Sequence, residues 1–250
     1  MSGLLQRFAV VVCVLMSCQA ASADFVINYT VDAGGANSFG ISGLSARSTW
    51  SVSGNQLLIL LENTSTSVPE GFEISDSLLV SLAFDLGNIS ILSGDTAVIG
   101  NGSMGLGIWA DLNPGDSVAS QWLWTNDFGG DQFLDFTQVI STSMGQGGGL
   151  RTNFNGDPAD VAGPFGGIAA PGFLLAIPDM QYAVSNSIRF SLTLSDDLSE
   201  EQLHSLAHLS QVEFGSDFQY LAVPGPGVLA ALLGLPLVVR SRSRRREILK

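Results

Sequence analysis

Between residues 24 and 222 the chain has no lysine, no cysteine and only three arginines, Arg47, Arg151 and Arg189. Against those three stand 22 acidic side chains, which leaves this stretch with a formal charge of −19. So few cations exclude nucleic-acid binding, which depends on Lys and Arg neutralising phosphates. The same surface avoids an anionic membrane face, attracts cations and keeps copies apart by self-repulsion. Both cysteines, Cys13 and Cys18, lie near the N-terminus, so the acidic stretch has neither disulfides nor thiol chemistry. It must rest on its apolar core or on bound cations. There is no Gly-x-Ser-x-Gly elbow, and the only histidines are His204 and His208, which removes the usual arrangements for nucleophilic hydrolysis. The separation that paired glycosidase carboxylates require is not readable from sequence.

The two ends are different in kind. Arg7 precedes an unbroken apolar run, Phe8–Met16, and Ala21-Ser22-Ala23 follows as a small-x-small cleavage site before Asp24. This is the layout of a secretory signal peptide over residues 1–23. At about 1.5 Å per residue the run reaches only about 14 Å, too short for a hydrocarbon core of about 30 Å. Leu15-Met16-Ser17-Cys18 partly matches a lipobox that would lipidate Cys18, but Met16 fits that pattern poorly. Near the other end Val223-Pro224-Gly225-Pro226-Gly227 breaks the chain, Val228–Val239 is apolar, and Arg240, Arg242, Arg244, Arg245 and Arg246 follow. Arginines after an apolar segment stay cytoplasmic, so the acidic domain faces outward. The span is short, and Gly234 and Pro236 weaken it as a helix. That suits a transient stop better than the alternative, a permanent single-pass anchor.

A Val-Pro-x-Pro motif, an apolar stretch and an arginine cluster, in that order over Val223–Lys250, resemble the PEP-CTERM sorting signal of exosortase-processed bacterial surface proteins. Gly225 stands where that motif usually has Glu. The resemblance implies a signal peptidase acting at Ala21–Ala23 and an exosortase-type transpeptidase cutting near Pro224–Gly227. It also implies an inner-membrane intermediate and delivery to the cell surface or beyond. Three internal stretches, Leu57–Ser65 (LLILLENTS), Leu82–Gly87 (LAFDLG) and Val212–Asp217 (VEFGSD), are similar to passengers of such proteins and bring no catalytic residues.

Residues 24–222 are long enough for one domain with a real core. Apolar residues alternate with polar ones in Phe25–Asp32, Ser77–Leu86 and Ser187–Leu194, which predicts half-buried antiparallel strands. Further strands are expected at Thr49–Val52, Gln56–Glu62, Thr96–Ile99, Ser120–Thr125, Gln138–Ser141, Gln211–Phe214 and Phe218–Ala222. The expected fold is all-β, an antiparallel β-sandwich of jelly-roll type, with terminal signal and C-terminal membrane helices. One short helix is expected, with its N-cap and acidic first turn in Ser195–Gln202 and with Leu203, Leu206 and Leu209 recurring at helical spacing. Gly145–Gly149 and Gly163–Gly172 read as loops.

Several groupings bear on chemistry. His204 and His208, with Glu200 one turn earlier, have the spacing of zinc ligands on one helix face, although a solvated surface pair has the same spacing. Gly100-Asn101-Gly102-Ser103-Met104-Gly105 fits Gly-x-Gly-x-x-Gly, but no βαβ unit follows, so it reads as a turn. The Asp111–Asp116, Asp127–Asp135 and Asn153–Asp160 segments gather oxygens of the kind Ca²⁺ uses, and Asx residues also favour turns. Trp50, Trp109, Trp122 and Trp124 could form a sugar-stacking platform, with Trp122 and Trp124 on one strand face, although such tryptophans are more often core or rim residues. The expectation is a non-enzymatic surface or matrix protein with a structural or adhesive role. The alternative is a carbohydrate-binding module for extracellular polysaccharide, with a glycoside hydrolase third.

Overall fold

In a computed structural model the described residues are 24–30, 42–71, 73–126, 136–142, 152–157, 166–172, 182–215 and 219–222. They are mostly strand: β1 (Phe25–Thr30), β2 (Ser45–Ser53), β3 (Gln56–Asn63), β4 (Leu79–Phe84), β5 (Ile91–Ile99), β6 (Gly105–Gly107) and β7 (Leu123–Thr125). Then come β8 (Gln138–Ser141), β9 (Thr152–Asn153), β10 (Gly166–Ala169), β11 (Tyr182–Ser185) and β12 (Ser187–Leu194). Helix α1 (Glu200–Ala207), β13 (Ser210–Phe214) and β14 (Gln219–Ala222) complete the set. One sheet has five strands in the order β1-β2-β3-β12-β5. The other has nine, β6-β11-β10-β4-β8-β7-β9, with β13 on β4 and β14 on β13. Among the described residues no helix is long and apolar enough to cross a membrane. Segments 1–23 and 223–250 lie outside the described residues, and with them Ala21, Ala23, Val223, Pro224, Gly225, Pro226, Arg240, Arg242, Arg244, Arg245 and Arg246.

The two sheets share one apolar core. Ile27, Trp50, Leu57, Ile59 and Phe190 of the first meet Leu82, Phe84, Ile140, Val184 and Phe214 of the second. Trp50 stands edge-on to Phe84 at 5.2 Å between ring centres, and Trp122 to Phe190 at 5.0 Å. The period-two expectation holds in β1 and β12, whose outward residues reach solvent. It fails in β4, where all six residues are buried. Leu79 pairs with Phe214 and Ser81 with Glu213, so Val80 is an extra, bulged residue. The bulge puts Leu79, Leu82 and Phe84 on the shared core and leaves Leu78 and Val80 in a separate apolar cluster with Ala169.

Pairing is not antiparallel throughout: β10 and β11 run parallel. The chain between Ala169 and Tyr182 supplies the dozen or so residues a parallel crossover needs. β10 also corrects the loop expected at Gly163–Gly172. Its glycines permit close approach, because a Cβ on Gly166 would stand 2.5 Å from the Tyr182 carbonyl oxygen. The Gly145–Gly149 stretch lies outside the described residues.

Helix α1 has the expected character with a later start. Ser199 is its N-cap and forms a capping box with Gln202: Gln202 N donates to Ser199 Oγ at 3.2 Å, and Ser199 N to Gln202 Oε1 at 3.0 Å. Leu203 and Ala207 are its buried residues, whereas Leu209, past the helix end, is 51% exposed.

A one-way hydrogen-bond chain pins α1 to the first sheet. The Trp50 indole N–H donates to Ser48 Oγ at 2.6 Å, and Ser210 donates to the Ala207 carbonyl at 2.7 Å. Those ends fix the middle: Ser48 donates to the Tyr29 hydroxyl at 2.9 Å, and Tyr29 to Ser210 at 2.8 Å. Burial pushes the Tyr29 phenol up to about 12, against the lowering effect of its Ser210 and Ser48 hydrogen bonds. Tyr29→Phe should cost about 1–2 kcal/mol, because it removes the link and strands its neighbours. The sign of the pH effect follows from the raised pKa. Below about pH 10 the phenol is neutral in both states, while between about 10 and 12 only the unfolded chain loses the proton. Urea unfolding of the parent should therefore weaken by roughly 2–3 kcal/mol more than that of Tyr29→Phe across this range; equal losses would contradict the buried chain.

Candidate functional site

Polar residues concentrate at the corner where the chain passes between sheets. Asn186 is the single residue linking β11 to β12 and adopts φ 66°, a left-handed conformation that Asn tolerates. Asn63, at the end of β3, is fully buried. Its Nδ2 donates to the carbonyls of Ser77 at 2.8 Å and Ile168 at 2.7 Å, both on the side of the second sheet, and its Oδ1 accepts from Ser65 N at 3.0 Å. The Gly-x-Gly-x-x-Gly segment belongs to this corner. Ser103 Oγ accepts from Ser187 N at 3.1 Å and bonds Ser187 Oγ at 2.9 Å. A Cβ on Gly100 would stand 2.1 Å from Ser187 Oγ, and one on Gly105 would overlap the Trp109 carbonyl. Close packing, not phosphate binding, accounts for those glycines.

The other stretches singled out in the sequence are also structural. Arg47 and Glu62 face each other on β2 and β3 in a bidentate pair, Nε to Oε2 at 2.6 Å and Nη2 to Oε1 at 2.8 Å, which raises the Arg47 pKa. Leu82 pairs with Val212, the one register position at which LAFDLG and VEFGSD meet on these antiparallel strands. Asp85 Oδ1 accepts from Gly87 N at 2.7 Å, closing the turn after β4. Gly215, at φ 63°, sits where a Cβ would stand 2.7 Å from Asp76 Cα. Buried Glu213 accepts from Ser81 Oγ at 2.8 Å, and Ser81 bonds Ser141 at 2.6 Å. Nothing in the sequence pattern marked this carboxylate as buried.

Within the described residues, two of the calcium-type loops spend side-chain oxygens on their own turns. Asp116 Oδ2 accepts from Asn113 N at 2.7 Å. Asn153 Oδ1 accepts from the backbone of Asn155 at 2.9 Å and of Asp157 at 3.0 Å. Among the described residues no three His, Cys, Asp or Glu side chains come together as a metal group. Asp127–Asp135 and residues 158–160 lie outside the described residues.

Of the proposed platform, Trp122 and Trp124 do share a face, but it is the inner one. Trp122 is fully buried against Phe190, and Trp124 packs over Gly94. The indole nitrogens of both are buried with no hydrogen-bond partner. Trp109 is half-buried and stands edge-on to Tyr182 at 5.3 Å.

The remaining surface with unassigned chemistry lies around α1. A groove of about 460 Å³ separates the helix from the turn after β4 and is lined by Leu86, Asn88, Ile89, Glu201, Gln202 and Leu206 among others. On another side of α1, His204 and His208 both pack on Phe25, with ring centres 4.5 and 5.1 Å away. The two imidazoles lie 5.2 Å apart with planes at 81°. Their i, i+4 spacing was legible in the sequence, whereas Phe25, far away in the chain, was not linked to them.

No family model, curated protein or solved structure matches this chain.

The packing separates the tryptophans by role. Trp122→Ala should cost about 3–5 kcal/mol in urea unfolding, and Trp109→Ala clearly less. Equal costs would mean that Trp122 is not a core residue.

Proposed function

We propose that the chain is an exported, exosortase-processed surface or extracellular-matrix protein with a structural or adhesive, non-enzymatic role. A signal peptidase removes residues 1–23, the tail holds the acidic domain at the outer face of the inner membrane, and an exosortase-type transpeptidase cuts near Pro224–Gly227. The observation that carries the reading is the order of features along the chain. An apolar run and Ala21-Ser22-Ala23 come first, and Val223-Pro224-Gly225-Pro226, the apolar Val228–Val239 and the arginine cluster come last, on either side of a stretch whose described strands lie within Phe25–Ala222. A formal charge of −19 between those points supports a soluble surface. The three stretches similar to exosortase-sorted passengers all serve the sheets, which suits a scaffold that presents a surface.

The finer fold assignment is a jelly roll. The chain runs from β3 in one sheet to β4 in the other, back to β5 and across to β6, and later from β11 to β12 to β13. A second reading, a carbohydrate-binding module for extracellular polysaccharide, is favoured by one observation, the half-buried Trp109 beside Tyr182.

Intact-mass analysis of the surface form isolated from cells tests the proposal. The product should begin at Asp24 and end near Pro224–Gly227. A mature protein that keeps residues 228–250 rejects processing and makes the tail a plain anchor.

A further inference from the structure

We propose that His204 and His208 form a surface site for one divalent transition-metal ion of the zinc and copper class. The two side chains are the chain's only histidines, and α1 brings them to one place one turn apart. Two imidazole nitrogens held about 2.0–2.1 Å from a tetrahedral zinc place their ring centres about 5 Å apart. The rings already stand 5.2 Å apart, so binding requires little change in their separation. Phe25 packs against both rings, with ring centres 4.5 and 5.1 Å away, and so holds them at one place on the surface. His204 is exposed and His208 half-buried, which leaves a path for the ion and room for water.

The chemistry selects the ion class. Imidazole suits zinc, copper and nickel, whereas calcium and magnesium prefer oxygen ligands. The acidic domain raises the local concentration of any cation but does not discriminate among divalent ions; the imidazole pair does. Among the described residues no third His, Cys, Asp or Glu joins the group. The described residues thus supply two of the four positions of a tetrahedral ion. It is independent of how the tail is processed.

The test titrates ZnCl₂ into the full-length protein in detergent by calorimetry, in the presence of excess CaCl₂ to occupy carboxylates. The expected result is one zinc per chain that calcium does not displace, lost in His204→Ala and in His208→Ala. Phe25→Leu should weaken zinc binding several-fold while leaving its stoichiometry unchanged. Circular dichroism of each variant confirms that the fold is kept. Because His204 is exposed, His204→Ala provides a folded comparison even if Phe25→Leu unfolds. Absence of stoichiometric zinc binding, its loss to calcium, or undiminished binding by the doubly substituted His204→Ala, His208→Ala protein overturns the site.

Discussion

A single buried carboxamide, that of Asn63, fastens one sheet to the other. Both its amide hydrogens are engaged by carbonyls on the side of the second sheet, and its oxygen holds the Ser65 amide of the segment that follows β3. In a domain without disulfides no covalent link can do this work. Apolar contact between sheets is non-directional and fixes neither register nor angle, so directional bonds at the corner set how the layers meet. Asn186, Ser103 and Ser187 extend the same seam. The buried carbonyls at this corner need partners, because an orphaned one costs about 1–3 kcal/mol.

That seam explains why motifs with a functional look are structural. LLILLENTS ends in the Arg47–Glu62 pair, the Asn63 clamp and the Ser65 turn. The glycines at 100 and 105 are small because neighbouring atoms leave no space for a Cβ. The described turns at Asn113–Asp116 and Asn153–Asp157 are closed by their own Asp and Asn side chains. What remains for recognition is the outside: an acidic surface, the Trp109–Tyr182 edge and the surroundings of α1.

Strands with solvent on one side were legible, since alternation in β1 and β12 records one wet face and one dry face. β4 was legible as a strand but not as a fully buried one, because its alternation implied one wet face, whereas both faces are buried and the bulge at Val80 shifts its phase. β10 was hidden by composition: Gly166 and Gly167 signal a loop locally, and only the approach of Tyr182 and Leu79 makes them a strand. The helix was legible through its cap and first turn, but Leu209, read at helical spacing, lies past the helix end. The i, i+2 spacing of Trp122 and Trp124 gave their shared face correctly, and only the packing on Phe190 shows which way that face points. In the same way the histidine spacing was local, whereas Phe25 joins the pair through tertiary contact.

If the seam governs how the sheets join, removing its central amide must cost far more than removing an ordinary surface hydrogen bond. Equilibrium urea unfolding of Asn63→Ala, followed by tryptophan fluorescence, measures this directly. The account predicts a loss of about 2–4 kcal/mol, from two stranded carbonyls and the lost turn, with one cooperative transition. A loss under about 0.5 kcal/mol, the size of a surface change, would contradict it.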